Sequence, residues 1–158
     1  FRVDSFNYML KSKQKFKSNM VMAILFNHDS AFRKKKFLLP RLIKLIKNKK
    51  FKELNKIYKE NISGDYSHAE DICNALYKLI LINKNINKII LSSGKKSYIN
   101  DVIIFLLKKN KKKLKLIKDR IKIFRSPVGD NGYARKLLKW RLKKNILIVR
   151  QLQRFYVV

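Results

Sequence analysis

The residue types that most often carry chemistry are scarce in this chain. His28, His68 and the single cysteine, Cys73, are the candidate nitrogen and sulfur ligands for a metal ion. Their spacing matches no common metal-binding motif. A histidine in the first turn of a helix, where the pattern around His68 puts it, more often hydrogen-bonds to the helix end than binds a metal. We therefore predict no metal site.

Phosphate-binding loops are excluded by the glycine content. Only four glycines are present, at 64, 94, 129 and 132. Neither G-x-G-x-x-G nor G-x-x-x-x-G-K can be formed from them, so no loop of either type cradles phosphates. A complete dinucleotide-binding fold would lack its beginning in this chain.

Acidic residues are concentrated in the segment SGDYSHAEDICNALYKLILIN, residues 63–83. Ser67 followed three residues later by Glu70 is typical of a capping box, which satisfies two orphan amides at a helix N-terminus. Glu70 and Asp71 then lie in the first turn, where carboxylates oppose the positive end of the helix dipole. Apolar residues follow at helical spacing from Ile72 to Ile80. The sequence predicts a capped helix here, so the acidity has a structural explanation.

The chain is strongly basic, with 40 Lys plus Arg against 10 Asp plus Glu and a formal net charge of +30 over 158 residues. Such a charge attracts polyanions, and a non-enzymatic module that binds nucleic acid or anionic surfaces is one hypothesis. However, lysine outnumbers arginine 31 to 9 and occurs in every segment. DNA-reading modules gather basic residues on one stripe. We keep polyanion binding as the alternative and predict no nucleic-acid partner.

A hydrophobic content of 46% predicts a packed domain rather than disorder. Cys73 has no partner for an intramolecular disulfide, which favours a reducing compartment. The longest apolar runs, such as MVMAILF at 20–26, are too short to span a membrane, and no signal peptide opens the chain. We predict a cytoplasmic protein without membrane insertion.

Periodicity predicts an alternation of helices and strands. Helices are predicted at 1–16 and at 38–47, with Pro40 in the first turn of the second helix. Further helices are predicted from Ser67, from Ser97, after an Asp130 cap, and over 144–156. Strands are predicted at 20–26 (buried on both faces), around Ile57, Tyr58 and Ile62, at 87–94, and in IKIFRS at 121–126, with a solvated linker at 110–120. This alternation predicts an α/β fold, and without a Pro-, Gly- or Ser-rich linker residues 1–158 are predicted to form a single unit.

Four blocks in order carry a family resemblance. They are ILFNHDSAFR at 24–33, GDYSHAEDIC at 64–73, ILSSGKKSYINDVI at 90–103 and GDNGYARKLLKW at 129–140. Together they resemble the carboxyl-terminal half of the extended short-chain dehydrogenase/reductase family, and within it the GDP-mannose 4,6-dehydratases and similar NAD-dependent nucleotide-sugar epimerases and dehydratases. The resemblance implies the end of a Rossmann-type parallel sheet plus a smaller α/β substrate-binding domain.

The resemblance also implies roles for individual residues. His28 and Arg33 match residues that contact NADP or NAD in the family. Asn27, Arg41 and Arg125 match positions that hold the sugar nucleotide, and a guanidinium fork suits a diphosphate. Gly64 stands where the family has an arginine that meets the diphosphate, so one anion clamp is missing here.

No catalytic residue is predicted in this chain. Family members carry a glycine-rich cofactor loop and a Tyr-x-x-x-Lys pair that acts in oxidation at the sugar C4, and neither is present. The resemblance implies the substrate-binding portion of a nucleotide-sugar dehydratase that makes deoxysugar or surface polysaccharide precursors, takes a GDP-hexose, and is a homo-oligomer when full length. The isolated chain is expected to be inactive. A third hypothesis is a structural remnant that pairs with a full-length homologue.

Overall fold

The computed structural model describes residues 2–30, 32–111 and 124–143. Helices and strands are interspersed along these residues, with some consecutive pairs of one kind, and the mixed α/β class agrees with the sequence prediction. In chain order they are α1 (Arg2–Lys15), β1 (Met22–Leu25), β2 (Asn27–Asp29), α2 (Leu38–Lys47), α3 (Phe51–Lys59), β3 (Ser63–His68), α4 (Ala69–Leu81), β4 (Lys88–Leu91), β5 (Lys96–Tyr98), α5 (Ile99–Lys109) and α6 (Gly132–Leu138).

Two small sheets organise the chain. β1 pairs in parallel with β4, with Met22 opposite Lys88. β2 continues almost directly from β1 but pairs in parallel with β3, and β3 pairs on its other side with antiparallel β5. The chain therefore changes sheets at residue 26, and the residues that follow lie beyond the carboxyl end of β1.

The predicted strand at 20–26 forms over a shorter range, but it is not buried on both faces. Ile24 and Leu25 are 37% and 40% exposed, whereas Ile89 and Leu91 of β4 are buried. Among the described residues β1 pairs only with β4. Because consecutive side chains of a strand point to opposite faces, the exposure of Ile24 and Leu25 leaves both faces of β1 partly accessible at its carboxyl end.

The strand predicted around Ile57, Tyr58 and Ile62 is wrong, because Ile57 and Tyr58 lie in helix α3. Leu54 and Ile57 are buried on one face of this helix, and Phe51 packs against the same cluster. A spacing of three residues suits a helix rather than a strand. The strand in this region is β3, which starts one residue after Ile62.

Two predicted helix starts are also wrong. Ser67 lies in β3, paired with His28, and the N-cap of α4 is His68, whose Nδ1 accepts a hydrogen bond from the Glu70 amide at 3.2 Å. Ser97 lies in β5, and α5 begins at Ile99. In both places strand pairing holds the serine in extended backbone and delays the helix.

Buried side chains form two clusters. The first is built by α2, α3 and α5 around Leu42, Ile46 and Ile103. The second joins α4, α6 and β4 around Ile72, Leu91 and Trp140. α1 lies beside the start of β4, where the Lys13 ammonium donates to the Ile86 carbonyl at 2.7 Å.

Five of the helices are followed by a non-glycine residue in the left-handed region. These residues are Lys17, Lys49, Asn61, Lys111 and Lys139, with φ between 38° and 55°. Glycine usually takes this position because its missing Cβ removes the steric cost. This chain has only four glycines and uses lysine at four of these positions and asparagine at one, so these helix ends carry that steric cost.

Other predictions agree with the structure or fall outside the described residues. β4, α2 and α6 form where predicted, and the Asp130 carboxylate accepts a hydrogen bond from the Gly132 amide at 2.8 Å, although the N-cap residue of α6 is Asn131. The predicted helix at 144–156, most of the 110–120 linker and residues 121–123 lie outside the described residues. No helix within the described ranges is long and apolar enough to cross a membrane.

Candidate functional site

Asn27 stands at the point where the chain leaves β1 and enters β2. Its backbone lies opposite Tyr66 of β3. Its side-chain Nδ2 donates to the backbone oxygen of Asp65 at 3.2 Å, and the side chain is otherwise exposed. Ligands of open α/β sheets gather outside the carboxyl ends of strands. Asn27 is therefore anchored and accessible at the edge where a ligand is expected.

The segment that carries Arg125 lies against the start of β3. The Ser63 amide donates to the Phe124 oxygen and the Ser126 amide donates to the Ser63 oxygen, both at 2.9 Å. These bonds form a parallel bridge between Ser63 and Arg125. The Arg125 side chain is exposed. The bridge fixes the backbone of Arg125 while its guanidinium remains accessible to a ligand.

Gly64 lies between Asn27 and the Arg125 segment. A Cβ built at Gly64 would lie 3.1 Å from the Ser126 Cβ and 3.5 Å from Asn27 Nδ2. The three segments thus approach one another closely at this glycine. At Gly64, where the family arginine is replaced, the structure brings together Asn27 and Ser126, the chain neighbour of the predicted substrate residue Arg125.

His28 and Arg33 flank a buried carboxylate, Asp29. Burial raises the pKa of Asp29 above its ordinary value of 3.8, and a hydrogen bond from the Ser30 amide and the charges of Arg33, His28 and His68 lower it in part. The His28 Nδ1 lies 2.9 Å from the Phe26 oxygen, which fixes the ring. His28 and Arg33 are therefore brought together by one acidic residue.

The Arg33 guanidinium lies over the Phe37 ring, 3.8 Å from its centroid. Stacking of this kind is favourable and restricts the orientation of the guanidinium plane. A positively charged, oriented group next to an imidazole can hold an anionic or polar part of a cofactor. The predicted cofactor contacts of His28 and Arg33 stay a prediction.

Arg41 is not brought to the same place by any contact in the described part of the chain. It lies exposed in the first turn of α2, where its amide donates to the Phe37 oxygen at 2.9 Å. Within the described ranges, no hydrogen bond or ion pair joins Arg41 to Asn27 or Arg125. Its predicted substrate role stays a prediction.

Tyr66 lies opposite Asn27 at this edge, and it does not have the properties of a catalytic base. Burial raises its pKa above its ordinary value of 10.0, and the charge of Asp29 raises it further. The phenol therefore keeps its proton at neutral pH. A tyrosine that acts as the base in an oxidation needs a lowered pKa.

The histidines and the cysteine do not form a metal centre. The described residues contain no group of three or more His, Cys, Asp or Glu side chains that could hold a metal ion. His68 is instead used at the N-terminus of α4, as the sequence indicates for a histidine at a helix end. Cys73 is an exposed thiol on the same helix.

Sequence inspection gave no role to Asp65, which is the most extensively hydrogen-bonded side chain of the region. Its carboxylate accepts from the Ser93 amide and hydroxyl, the Gly94 amide and the Gly129 amide. One signal was present: Asp65 is one of only ten acidic residues and it lies outside the predicted helix turn. Its two partner segments, the Ser93–Gly94 turn and Gly129, are far from Asp65 in sequence, so the contact itself could not be predicted.

Comparison with solved structures shows the fold. RMD from Pseudomonas aeruginosa, complexed with NADPH, superposes with a TM-score of 0.70 at 15% identity, over 97% of this chain and 51% of that one. UDP-glucuronic acid 4-epimerase from Bacillus cereus, in complex with NAD, gives 0.67 at 17% identity, over 91% and 48%. DesIV, a dTDP-glucose 4,6-dehydratase from Streptomyces venezuelae with NAD and TYD bound, gives 0.70 at 10% identity, over 96% and 48%.

These matches confirm the predicted Rossmann-like α/β fold. The chain spans about half the length of each of these structures. Comparison of the sequence with curated proteins gives no significant match. The family model for GDP-mannose 4,6 dehydratase matches residues 5–146, a range that includes every predicted site residue. The chain belongs to the GDP-mannose 4,6 dehydratase family, within the NAD-dependent nucleotide-sugar epimerases and dehydratases of the extended short-chain dehydrogenase/reductase type.

Proposed function

We propose that this chain is the substrate-binding portion of an NAD(P)-dependent nucleotide-sugar dehydratase that takes a GDP-hexose, in the cytoplasmic synthesis of deoxysugar or surface polysaccharide precursors. The observation that carries the proposal is the close approach of Asn27 and the segment that contains Arg125 at Gly64, beyond the carboxyl end of β1. An exposed amide and an exposed guanidinium are the groups that recognise a sugar hydroxyl and a diphosphate.

The side chains at 28 and 33 fit a nicotinamide cofactor. Arg33 is a stacked cation and His28 is fixed through Nδ1, which leaves Nε2 for a ligand contact. A bound cofactor of this type supplies a hydride acceptor. The protein residues would contribute binding and orientation: Arg33 would neutralise an anionic group and His28 would hydrogen-bond a polar one. Because glycine-rich loops are excluded, these two residues would supply only part of the cofactor contacts.

Arg125 would carry most of the diphosphate affinity. Gly64 provides no second guanidinium, and the crowding around it explains why an arginine there would disturb Ser126. An arginine–phosphate contact is charge-assisted and bidentate, so its loss costs about 1.5–3 kcal/mol. Binding should therefore depend strongly on this one residue.

Titration calorimetry with GDP-mannose and the 158-residue chain tests the proposal. We expect saturable binding that Arg125→Ala weakens by about tenfold or more. Arg135→Ala is the matched control, because Arg135 is an exposed arginine on α6 and no role in the site is proposed for it. Equal affinities for the two variants would contradict the proposal.

Two further measurements separate this function from polyanion binding. A polyanion binder loses affinity steeply with salt and does not prefer a GDP-sugar over inorganic polyphosphate. We expect a preference for GDP-mannose and a shallow salt dependence. We also expect no 4-keto product from the isolated chain with NADP and GDP-mannose, because no Tyr-x-x-x-Lys pair is present; turnover would contradict that assignment.

A further inference from the structure

Asp65 is completely buried, and four donors surround its carboxylate. Oδ1 accepts from the Ser93 amide at 2.7 Å and from the Ser93 hydroxyl at 2.6 Å, and Oδ2 accepts from the Gly94 amide at 2.9 Å and the Gly129 amide at 3.2 Å. Hydrogen bonds to an ionised acceptor are roughly twice as strong as neutral ones. The carboxylate is therefore an internal anchor, and it is not available as a base or as a ligand for substrate.

Two of these donors belong to the turn that follows β4. Successive amides of Ser93 and Gly94 converge on the carboxylate, and Gly94 has φ +70°. Convergent amides around a left-handed residue form a concavity that binds anions. Here the chain fills this concavity with its own carboxylate. The turn is fixed by Asp65 and cannot also receive a substrate phosphate.

The Gly129 amide extends the same anchor to the segment that carries Arg125. That segment is held at one end by the bridge between Ser63 and Arg125 and at the other end by the bond from Gly129 to Asp65. The Gly129 carbonyl also accepts from the Ser92 hydroxyl at 2.9 Å. A short segment fixed at both ends presents Arg125 in one backbone orientation.

Asp65 is connected to the other substrate candidate as well. Its backbone oxygen accepts the hydrogen bond from Asn27 Nδ2. One residue thus joins the two groups that are proposed to recognise the sugar nucleotide, through its carbonyl on one side and its carboxylate on the other. Its side chain and Asn27 can therefore be tested separately.

We propose that the Asp65 carboxylate is a positioning residue that holds the Arg125 segment and the Ser93–Gly94 turn in the arrangement required for binding the diphosphate of a sugar nucleotide. The inference rests on the proposed function, since Arg125 is the group that is positioned. Asp65 does not touch the ligand. Its effect on affinity must pass through Arg125.

A double-mutant cycle tests this dependence. Asp65→Asn keeps the side-chain volume but turns an NH₂ group toward buried amides, so Gly94 or Gly129 loses its acceptor. We expect Asp65→Asn to weaken GDP-mannose binding about tenfold, as Arg125→Ala does, and the double variant to be no weaker than Arg125→Ala alone. If Asp65 only stabilised the fold, its effect would be independent of Arg125. The loss of affinity in the double variant would then be the product of the losses in the two single variants.

Asp130→Asn is the matched control for the loss of a carboxylate nearby. Asp130 is exposed and accepts one amide bond, from Gly132. We expect its affinity for GDP-mannose to stay within about twofold of wild type. If Asp65→Asn does not fold, Ser93→Ala replaces it in the cycle. This variant removes the 2.6 Å bond from the Ser93 hydroxyl to Asp65 and also the two 3.1 Å bonds of that hydroxyl with the Lys95 backbone, and we expect it to weaken GDP-mannose binding about threefold.

Amide hydrogen exchange of the unliganded chain provides an independent readout. We expect the Gly94 and Gly129 amides to lose protection in Asp65→Asn and the α4 amides to keep theirs. Unchanged affinity in a folded Asp65→Asn, or factors that multiply in the cycle, would overturn the inference and leave the proposed function standing. If the wild-type chain does not bind GDP-mannose, both the proposed function and the proposed effect of Asp65 on ligand binding fail. The exchange protection of the Gly129 amide then shows whether Asp65 holds this segment.

Discussion

The indole Nε1 of Trp140 donates a hydrogen bond of 3.0 Å to the backbone oxygen of Asp71. Both residues are buried, and the Asp71 carboxylate in addition accepts from the Lys143 amide at 3.2 Å. Two sequence blocks separated by about seventy positions are thereby joined in one cluster. Asp71 thus holds the chain after α6 in addition to lying near the positive end of the α4 dipole.

Removing this indole donor should destabilise the fold. Trp140→Phe deletes the bond to Asp71 and leaves part of the indole volume empty, so we expect a loss of about 1–3 kcal/mol in the free energy of unfolding. Tyr133→Phe is the control, because it removes a polar atom from an exposed aromatic residue on α6. Urea denaturation measures both variants. Similar stabilities for the two would show that the Trp140 contact contributes little.

The buried carboxylate of Asp29 should make stability depend on pH. Because its pKa is raised in the folded state, chiefly by burial, the folded chain holds the proton more tightly than the unfolded chain. The stability that it contributes is complete below its ordinary value of 3.8 and is lost as the pH rises through the raised value. Asp29→Asn does not titrate, so we expect it to gain stability relative to wild type as the pH rises across this window.

Urea unfolding of wild type and Asp29→Asn from about pH 3 to about pH 7 checks the direction of this pH dependence. Subtracting the two curves removes the titration of the remaining groups. A difference that stays constant, or that grows in favour of wild type, would show that the Ser30 hydrogen bond and the charges of Arg33 and the two histidines offset or outweigh burial at Asp29.

The strained lysines at the helix ends should be improved by glycine. Lys49 has φ 55° directly after the α2 C-cap, and glycine at this position avoids the Cβ penalty. We expect Lys49→Gly to raise the free energy of unfolding by about 0.5–1 kcal/mol. Lys44→Gly, at an exposed helical position in the last turn of α2, should lower it by up to about 1 kcal/mol. Thermal unfolding that moves both variants in the same direction would contradict the conformational explanation.

Gly129 is required for packing, whereas Gly132 is not. A Cβ at Gly129 would lie 2.7 Å from Phe26 Cε2 and from the Ser92 side chain, while at Gly132 the nearest atom is Asp130 Oδ1 at 3.1 Å. We expect Gly129→Ala to cost about 1–3 kcal/mol and Gly132→Ala to be close to neutral. Denaturant midpoints compare the two. If Gly129→Ala is tolerated as well as Gly132→Ala, Phe26 and Ser92 do not pack tightly against Gly129.

Several elements could be predicted because their signal is local. α2 follows from the apolar spacing of Leu42, Ile43 and Ile46, and β4 from the uninterrupted run before Ser92. The candidate residues Asn27, His28 and Arg33 could be named because the resemblance fixes their order along the chain. Their common location could be predicted from the rule that ligands bind beyond the carboxyl ends of strands.

The wrong helix starts have a tertiary origin. Ser67 and Ser97 both offer a capping side chain, and local chemistry favours a helix start at each. Pairing of Ser67 with His28 and of Ser97 with Gly64 extends the strands instead. Backbone hydrogen bonds across a sheet satisfy several groups together, whereas one capping bond satisfies a single amide, so pairing prevails.

The sequence by itself determined the alternation of elements, the absence of phosphate-binding glycine loops and the family. Only the tertiary structure decided that Asp65 binds the Ser93–Gly94 turn and the Gly129 amide, and that Asn27 and the Arg125 segment meet at Gly64. Hydrophobic periodicity is a property of neighbouring residues and is read directly from their order. A buried carboxylate is stabilised by donors from remote segments, and folding alone brings those donors together.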